Sequence, residues 1–300
     1  MRFRAISVLL IGCINLWVLF SMGCSSEERT IRIATKPMTE QYILGEMLAL
    51  LIEQDMGEKT TIIAGVDGGT ANIHPALLAG AYDLYPEYTG TAWLFVLKKD
   101  PETDETALFR ELSEEYAKQF KLQWVGLYGF NNTFGLGVRK GLAKQYNLAA
   151  FSDLAPLSSQ LVFGAEYDFY TREDGYAALC KAYGYDFAKH MDLNISSKYS
   201  AIGKGEIDVM NIFTTDGQLA SGAVAVLKDD RHFYPTYYCG TVVRQETLTQ
   251  FPKLRAVLMK MHNLLTDADM SRLNHLVDSE NKTPRDVARD FLKTKGLLHR

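Results

Sequence analysis

Aromatic residues gather near the ends of several predicted strands, and they are the side chains of this sequence best suited to chemistry with a ligand. They are Tyr85, Tyr88, Phe130, Phe134, Phe213, Tyr234, Tyr237 and Tyr238. For any one of them, packing in a core is the ordinary role of an aromatic ring. As a group beside the same loops, their faces would attract a weakly hydrated cation such as a quaternary ammonium. Because that cation has no N–H to donate, a box of ring faces is a natural way to bind it.

Two basic residues lie beside the same loops and would suit the other end of a charged ligand. Lys36 follows the first predicted strand, and Arg172 precedes the residues Glu173, Asp174 and Gly175. The plain interpretation of each is a solvated surface charge. The functional interpretation is recognition of a ligand carboxylate, for which the arginine guanidinium offers two parallel donors. Together, ring faces and basic side chains predict a zwitterion that carries a trimethylammonium group.

The sequence lacks the motifs of the common catalytic and nucleotide-binding sites. It has no Gly-x-Ser-x-Gly, no Gly-Lys-Ser/Thr phosphate loop and no glycine-rich turn after the first strand. Its six histidines are scattered, and none has a cysteine or another histidine at metal-ligand spacing. Glu40, Glu87 and Asp216 are candidates for acid–base work, so an enzyme on the same scaffold is an alternative, although no nucleophile and base are paired. We therefore expect a binding protein, not an enzyme, with no metal and no cofactor.

A short phrase occurs twice and predicts two similar lobes. Residues 80–90 and 205–215 both begin with glycine, have aspartate at the fourth position, and carry an aromatic residue followed by threonine near their ends. The aromatic residue is Tyr88 in the first copy and Phe213 in the second. Two lobes that each offer a ring from the same place would suit a cleft that closes on a ligand.

Strand-like and helical segments alternate along the chain, which predicts βα units and a mostly parallel sheet in each lobe. The apolar stretch 124–138 and the tyrosine-rich segment 233–243 are expected to cross between the lobes. We therefore expect an α/β protein with a first lobe of residues 31–132 plus 237–300 and a second lobe of residues 133–236. Two crossings make a hinge about which such lobes close.

The first residues read as an export signal rather than as part of the fold. A basic start precedes an apolar stretch over residues 5–20, which is short for a membrane span. Residues 1–23 are predicted to be a lipoprotein signal peptide, with Cys24 as the lipidated residue and residues 24–30 as a tether. An uncleaved anchor helix and a plain secreted form are the alternatives.

Composition and charge narrow the class further. The 300 residues are 47% hydrophobic and 23% charged, which is ordinary for a globular chain with one large core or two smaller ones. The formal net charge of −4 argues against a nucleic acid as partner. Cys180 and Cys239 fall in different predicted lobes, so we expect two free thiols rather than a disulfide. We also expect a monomer.

Six motifs carry a resemblance to a known family. They occupy residues 36–41, 83–91, 129–134, 172–176, 213–217 and 227–230. Taken in this order, they resemble the substrate-binding proteins of ABC importers for glycine betaine, carnitine and choline. The resemblance covers residues 29–300 and implies a type II periplasmic-binding fold with the ligand between two α/β lobes. It also implies a permease partner in the membrane and a role in osmoprotectant uptake.

The resemblance assigns the site residue by residue. An ammonium cage would be formed by Tyr88, Phe134, Phe213 and Tyr237, and carboxylate or polar contacts would come from Lys36, Thr91, Asn132 and Arg172. Positions 134 and 213 are often tyrosine in the family, and both are phenylalanine here. Phenylalanine keeps the ring face, which is worth about 0.5–2 kcal/mol per ring, but lacks the hydroxyl. The ligand is thus left open between glycine betaine, carnitine or choline and a larger betaine such as ergothioneine. A sensory module with the same fold is a further alternative.

Overall fold

The computed structural model describes residues 30–299, apart from residues 101, 103, 173, 194, 223 and 235. The predicted signal peptide, Cys24 and nearly all of the predicted tether lie outside the described residues. Within the described part of the chain, no helix combines the length and the apolar character needed to cross a membrane.

Strands and helices alternate through most of this part of the chain. The strands are β1 Ile31–Ala34, β2 Thr60–Ile63, β3 Leu84–Tyr88, β4 Leu122–Asn131, β5 Phe134–Arg139, β6 Val162–Ala165, β7 Lys189–Asp192, β8 Val209–Phe213, β9 Val224–Leu227 and β10 Tyr238–Arg244. The α-helices are α1 Thr39–Met56, α2 Thr70–Leu78, α3 Thr89–Thr91, α4 Glu105–Glu115, α5 Lys140–Tyr146, α6 Tyr167–Thr171, α7 Tyr176–Tyr183, α8 Ile195–Lys204, α9 Gln245–Gln250, α10 Leu254–Leu258, α11 Asp267–Asp278 and α12 Pro284–Thr294. Ala92–Val96 and Tyr116–Phe120 are π-helical, and Phe151–Gln160, Gly217–Ser221 and Met259–Met261 are 3₁₀-helical.

The strands form two five-stranded sheets, with the orders β2-β1-β3-β10-β4 and β7-β6-β8-β5-β9. In the first sheet β1 is parallel to β2 and β3, and in the second β6 is parallel to β7 and β8. The exceptions are β10 and β5, which are antiparallel to both of their neighbours. Each of these two strands follows a crossing between the sheets. The prediction of two α/β lobes with mostly parallel sheets is confirmed, and we call the layers built on the two sheets the first and second lobe.

The predicted crossing within residues 124–138 is present, and it is a break between two strands. β4 ends at Asn131 and β5 begins at Phe134, in the other sheet. The Tyr237 backbone N–H donates to the Asn131 side-chain oxygen at 2.6 Å, and the Thr214 hydroxyl donates to the Asn131 carbonyl at 2.6 Å. Asn132 N–H donates to the Tyr237 carbonyl at 3.2 Å. Hydrogen bonds thus join both crossings and the end of β8 at the base of the cleft.

The repeated phrase performs the same task in each lobe. Asp83 accepts hydrogen bonds from the backbone N–H of Arg32 at 2.8 Å and from its guanidinium at 3.0 Å. Asp208 accepts from the backbone N–H of Val162 at 2.9 Å and from the Arg139 guanidinium at 3.0 Å. Each aspartate therefore ties the start of its strand, β3 or β8, to the neighbouring parallel strand. This anchoring places the aromatic residue that ends each strand at the same edge of its sheet.

Helix α1 leads from the first strand into the core of the first lobe. Its sequence predicts an amphipathic helix, yet nearly its whole circumference is buried, including Ile43, Leu44, Met47 and Leu51. The reason is that α10, α11 and α12 cover the face turned away from the sheet. A helix that is apolar on most sides is stable when it is covered in this way. Its first turn consequently stands fixed at the cleft.

Two cysteines and one histidine are notable among the described side chains: Cys239 and His74 are buried, and Cys180 is half-buried. Cys180 and Cys239 are free thiols. His74 lies edge-on to the rings of Tyr116 and Phe120, at centroid distances of 5.6 and 4.8 Å. Neither of its ring nitrogens has a hydrogen-bond partner among the described residues. Burial lowers the pKa of His74, and the negative charge of Glu87 offsets this only in part.

We expect the free energy of unfolding to fall as the pH drops below about 6.5, the usual pKa of histidine. There the unfolded chain takes up a proton at His74, while the folded chain takes it up only at lower pH. In His74→Phe, which keeps an aromatic ring at this place, that component should vanish. Denaturant unfolding of both proteins between about pH 8 and pH 5 measures it, and parallel pH profiles would contradict it.

Candidate ligand-binding site

The four rings of the predicted cage lie at the two crossings between the sheets or on strands paired with the crossing segments. Tyr88 ends β3, Phe213 ends β8, Phe134 begins β5, and Tyr237 immediately precedes β10. Phe134 and Phe213 are cross-strand partners with ring centroids 4.9 Å apart. A Cβ added to Gly90 would lie 2.7 Å from ring carbons of Tyr237, so this glycine lets the ring pack against the end of β3. The structure thus places Tyr88 and Tyr237 in the core of the first lobe and Phe134 and Phe213 at that of the second, and of these four rings only Phe213 lines the cavity between the lobes described below.

Positive charges of the protein itself lie over three of these rings. The Lys36 ammonium is 4.5 Å from the centroid of the Tyr88 ring. The guanidinium carbon of Arg172 is 5.1 Å from the Phe134 ring, and the Lys198 ammonium is 5.8 Å from the Phe213 ring. Ring faces attract cations at such distances. The region is therefore already arranged to stabilise positive charge.

Lys36 is held by a buried carboxylate. Its ammonium forms an ion pair with Glu87, whose side chain is fully buried. The same carboxylate accepts hydrogen bonds from the Thr70 hydroxyl at 2.7 Å, the Tyr85 hydroxyl at 3.0 Å and the Tyr88 backbone N–H at 2.7 Å. Glu87 therefore fixes the height of Lys36 above the Tyr88 ring. Contact between Lys36 and a ligand carboxylate stays a prediction. It would use the N–H groups of the Lys36 ammonium that do not bond to Glu87.

Arg172 also has a carboxylate partner within the chain. Its Nε and Nη2 donate to the two oxygens of Asp174, each at 2.7 Å. The Tyr237 hydroxyl donates to the same aspartate at 3.4 Å. Asp174 thereby connects the guanidinium above Phe134 to a ring of the return crossing. Asp174 therefore occupies the two guanidinium donors with which Arg172 would otherwise bind a ligand carboxylate.

The other two residues predicted to make polar contacts, Thr91 and Asn132, lie in different parts of the first lobe and its crossing. Thr91 is half-buried in the short helix α3, directly after Tyr88. Asn132 lies in the first crossing, and its side-chain amide donates to Glu40 Oε1 at 3.0 Å. The resemblance implied contacts with the ligand for both residues, and these stay predictions.

Glu40 is a feature of the site that the sequence indicated only as one acid among several. It lies in the first turn of α1, is 3% exposed, and its Oε1 accepts a hydrogen bond from the Tyr88 hydroxyl at 2.5 Å. Burial raises the pKa of its carboxyl, and the hydrogen bonds from Tyr88 and Asn132 oppose that rise. Its Oε2 makes no hydrogen bond of standard geometry within the described residues, although Thr215 and Asn274 lie nearby.

A cavity of about 860 Å³ opens between the lobes beside Glu40 and Phe213. We call it the interlobe cavity. Its lining residues are Pro37, Met38, Thr39, Glu40, Asn132, Glu166, Tyr167, Asp192, Leu193, Phe213, Thr215, Asp216, Gly217, Gln218, Asn274 and Asp278. Glu40 and Asp216 were two of the acids considered for catalysis, and the third, Glu87, is held by Lys36 outside this lining. Burial raises the pKa of Asp216, which accepts a hydrogen bond from the Tyr199 hydroxyl at 2.8 Å.

A buried lysine in the second lobe was missed by the sequence reading. Lys198 is fully buried and forms an ion pair with Glu166. It also donates to Asn211 Oδ1 at 3.2 Å, while the Asn211 amide donates to Glu166 Oε2 at 2.6 Å. This closed network holds Lys198 near the Phe213 ring. No local pattern indicates it, because its members come from three separate segments of the chain: the turn after β6, helix α8 and strand β8.

A two-lobed α/β fold with aromatic and acidic side chains around an interlobe cleft defines a solute-binding protein. The chain belongs to the family described as the substrate binding domain of the ABC-type glycine betaine transport system, whose model matches residues 29–294. Members of this family bind small ligands outside the cytoplasm, work with permease components of ABC importers, and are transport proteins rather than enzymes.

Individual relatives agree with this assignment. The chain is 43% identical over 271 residues to the "Ergothioneine transport permease/ergothioneine binding protein EgtU" of Helicobacter pylori (strain G27), a match that covers 90% of this chain and 48% of that protein. The chain thus spans about half the length of that relative. It is 32% identical over 288 residues to the "Carnitine transport binding protein OpuCC" of Listeria monocytogenes, covering 93% of each.

Solved structures show the same architecture. One described as "Crystal structure of glycine betaine/carnitine/choline ABC transporter" superposes with a TM-score of 0.83 at 33% identity, covering 89% of this chain and 99% of the other. The expected type II periplasmic-binding fold is confirmed.

Proposed function

We propose that this chain is the membrane-anchored, extracytoplasmic solute-binding lipoprotein of an ABC importer. It captures a quaternary ammonium compound of the glycine betaine, carnitine or choline type for osmoprotectant uptake. The observation that carries the proposal is that three of the predicted cage rings, Tyr88, Phe134 and Phe213, lie beside cations of the protein. The trimethylammonium group would be held by these three rings and by Tyr237.

The ligand carboxylate, where there is one, would bind at Arg172 and replace Asp174 at the guanidinium. Lys36, Thr91 and Asn132 would add polar contacts around it. The Arg172–Asp174 pair is partly exposed, so water and salt weaken it, whereas a ligand carboxylate enclosed by the closing lobes would be held more strongly. The released Asp174 would then face the other lobe, which couples ligand capture to closure.

The overall organisation follows from the same proposal. The first lobe would comprise residues 31–132 with 237–300, and the second residues 133–236. The strands of the two sheets, which change over between Asn131 and Phe134, support these boundaries. Lipidation at Cys24 would hold the protein, as a monomer, beside its permease, with residues 1–23 removed.

A larger betaine is the second candidate, because the interlobe cavity that Phe213 lines is large. Its volume of about 860 Å³ exceeds the need of glycine betaine, which is little more than a trimethylammonium group and a carboxylate. Ergothioneine is the named ligand of the relative from Helicobacter pylori.

Calorimetric titration with glycine betaine, carnitine, choline and ergothioneine tests the proposal directly. We expect saturable binding of at least one of them, with recovery of the ligand unchanged, as for a transport protein. The absence of binding for all four at millimolar concentration would refute the quaternary ammonium assignment. Mass spectrometry of any ligand retained through native purification would identify the compound independently.

A further inference from the structure

We propose that helix α11 is a spacer that sets the width of the interlobe cavity, with Ser271 and Gly217 as positioning residues for the ligand. They act through the loop that follows Phe213 and not by contact with a bound molecule. The inference rests on the proposed function, because the width of the cavity affects affinity only if a ligand is captured between the lobes.

One face of α11 is polar, and it is turned toward the second lobe. Its members recur at intervals of three or four residues and are Asp267, Ser271, Asn274 and Asp278. Residues at this spacing share one side of an α-helix. A polar helix face is usually solvated, yet Ser271 and Asn274 are only 7% and 6% exposed. The second lobe covers them, and both side chains donate hydrogen bonds to it.

The middle of this polar face holds the loop that follows β8. The Ser271 hydroxyl donates to the Asp216 carbonyl at 3.0 Å, and the Asn274 amide donates to the Thr215 carbonyl at 2.8 Å. Both acceptors are backbone atoms, so these bonds fix the course of the loop rather than one side chain. Because Thr215 is buried, loss of the donor would leave its carbonyl unsatisfied, which is costly.

Gly217 lets the same loop lie directly on the backbone of the helix. A Cβ added at this position would lie 2.7 Å from the backbone nitrogen of His275, so a larger residue would force the loop and the helix apart. The Asp216 side chain also accepts a hydrogen bond from the Phe213 backbone N–H at 3.0 Å. The position of the loop on α11 therefore determines the position of Phe213, which lines the interlobe cavity.

Both ends of α11 are tied to the first lobe. At its start, Asp267 accepts a hydrogen bond from the Asn131 backbone N–H at 2.8 Å, where β4 ends. At its end, Asp278 accepts from the hydroxyl of Thr39 at 2.6 Å, and Thr39 is the first residue of α1 and lines the interlobe cavity. The helix has 12 residues and is about 18 Å long. It is therefore a strut between the first-lobe wall of the cavity and the loop of the second lobe.

A third attachment between the lobes changes the motions that the hinge permits. Two crossing segments alone allow both bending and twisting, since each is a narrow connection. The contact with α11 opposes any motion that lifts the loop after β8 off the helix. A ligand then meets a cavity that is already close to its bound width, so less binding free energy is lost in ordering the lobes.

Gly217→Ala tests the spacer, and Gly203→Ala on α8 is the matched control, because a Cβ at residue 203 has no neighbour within 4 Å. Titration calorimetry with glycine betaine, carnitine, choline and ergothioneine identifies the ligands that the wild type binds. We expect Gly217→Ala to weaken all of these by the same factor, at least tenfold, since the cavity widens and no ligand contact is removed. Gly203→Ala should change none of the affinities. Unchanged affinities in Gly217→Ala, or a loss confined to some of the bound ligands, would overturn the inference.

The distance between the lobes can be measured without a ligand. Energy transfer between fluorophores on non-natural amino acids at the exposed positions Glu114 of α4 and Lys144 of α5 reports it, with one label in each lobe. Gly217→Ala should lengthen or broaden the distance distribution that the wild type and Gly203→Ala share. An unchanged distribution would refute the spacer even if no ligand binds. Failure of the wild type to bind any of the four compounds would refute only the proposed function.

Ser271→Ala provides a milder variant that keeps the inference testable should Gly217→Ala not fold. Its control is Ser113→Ala, because the Ser113 hydroxyl also donates to a backbone carbonyl, that of Phe109 at 2.7 Å within α4. We expect Ser271→Ala to weaken all bound ligands about 2- to 10-fold, the effect of one hydrogen bond, and to broaden the interlobe distance. Ser113→Ala should do neither. Equal effects of the two variants would overturn the role of Ser271.

Discussion

Replacing Glu87 by alanine is expected to lower the free energy of unfolding by about 3–5 kcal/mol, the range seen when one partner of a buried ion pair is removed. The Lys36 ammonium would be left buried without its counter-charge. Thr70, Tyr85 and the Tyr88 backbone N–H would lose their common acceptor. Denaturant unfolding monitored by fluorescence or circular dichroism would measure the loss.

Two further variants separate the buried charge from the general effect of losing a glutamate. Glu246→Ala removes the partner of Arg244 at an exposed site and should cost less than about 1 kcal/mol. Lys36→Met combined with Glu87→Ala should be more stable than Glu87→Ala alone, because no unpaired ammonium remains. Stability of Glu87→Ala within about 1 kcal/mol of wild type would show that the pair is not the anchor we describe.

Arg172→Ala should weaken binding of glycine betaine or carnitine by about 10- to 100-fold and that of choline much less. A hydrogen bond to a charged group is worth about 1.5–3 kcal/mol, and every 1.4 kcal/mol is tenfold in affinity. Choline has no carboxylate, so it loses only the influence of the guanidinium on the Phe134 ring. Isothermal titration of the variant with each ligand measures the difference.

Variants at other positions complete this comparison. Phe213→Ala should weaken zwitterionic and purely cationic ligands alike, because the ring acts on the ammonium group that they share. Arg110→Ala, an exposed arginine on α4, is the control for loss of a positive charge and should leave both affinities unchanged. If Arg172→Ala weakened choline as much as glycine betaine, the carboxylate role of Arg172 would be wrong.

The order of elements was largely predictable, and the departures have physical reasons. Alternating strand and helix patterns indicated both lobes, and the repeated phrase indicated that β3 and β8 are equivalent. The break at Asn132 and Thr133 was not visible, since an apolar run is compatible with one strand or with two. The burial around α1 was also hidden, because it depends on helices α10, α11 and α12, which lie near the end of the chain.

For the candidate site too, the sequence predicted some features and not others. Residue types and motif order indicated where aromatic and basic side chains would gather, because strand ends are set by local pattern. The carboxylates that pair with the basic side chains could not be inferred from local pattern. Lys36 is held by Glu87, 51 residues further along the chain, and Lys198 by a carboxylate 32 residues before it. Such pairs form only when separate elements are brought together.

By itself, the sequence determined the family, the two-lobed α/β architecture and the residues proposed to surround an ammonium group. Local periodicity and short motifs are sufficient for these, since each depends on neighbours in the chain. Only the tertiary structure decided that Asp174 occupies the fork of Arg172 and that the Tyr88 hydroxyl and the Asn132 amide both bind the buried Glu40 carboxylate. Hydrogen bonding and burial depend on distances between distant segments, and the packing of α1, α11 and the two crossings sets those distances.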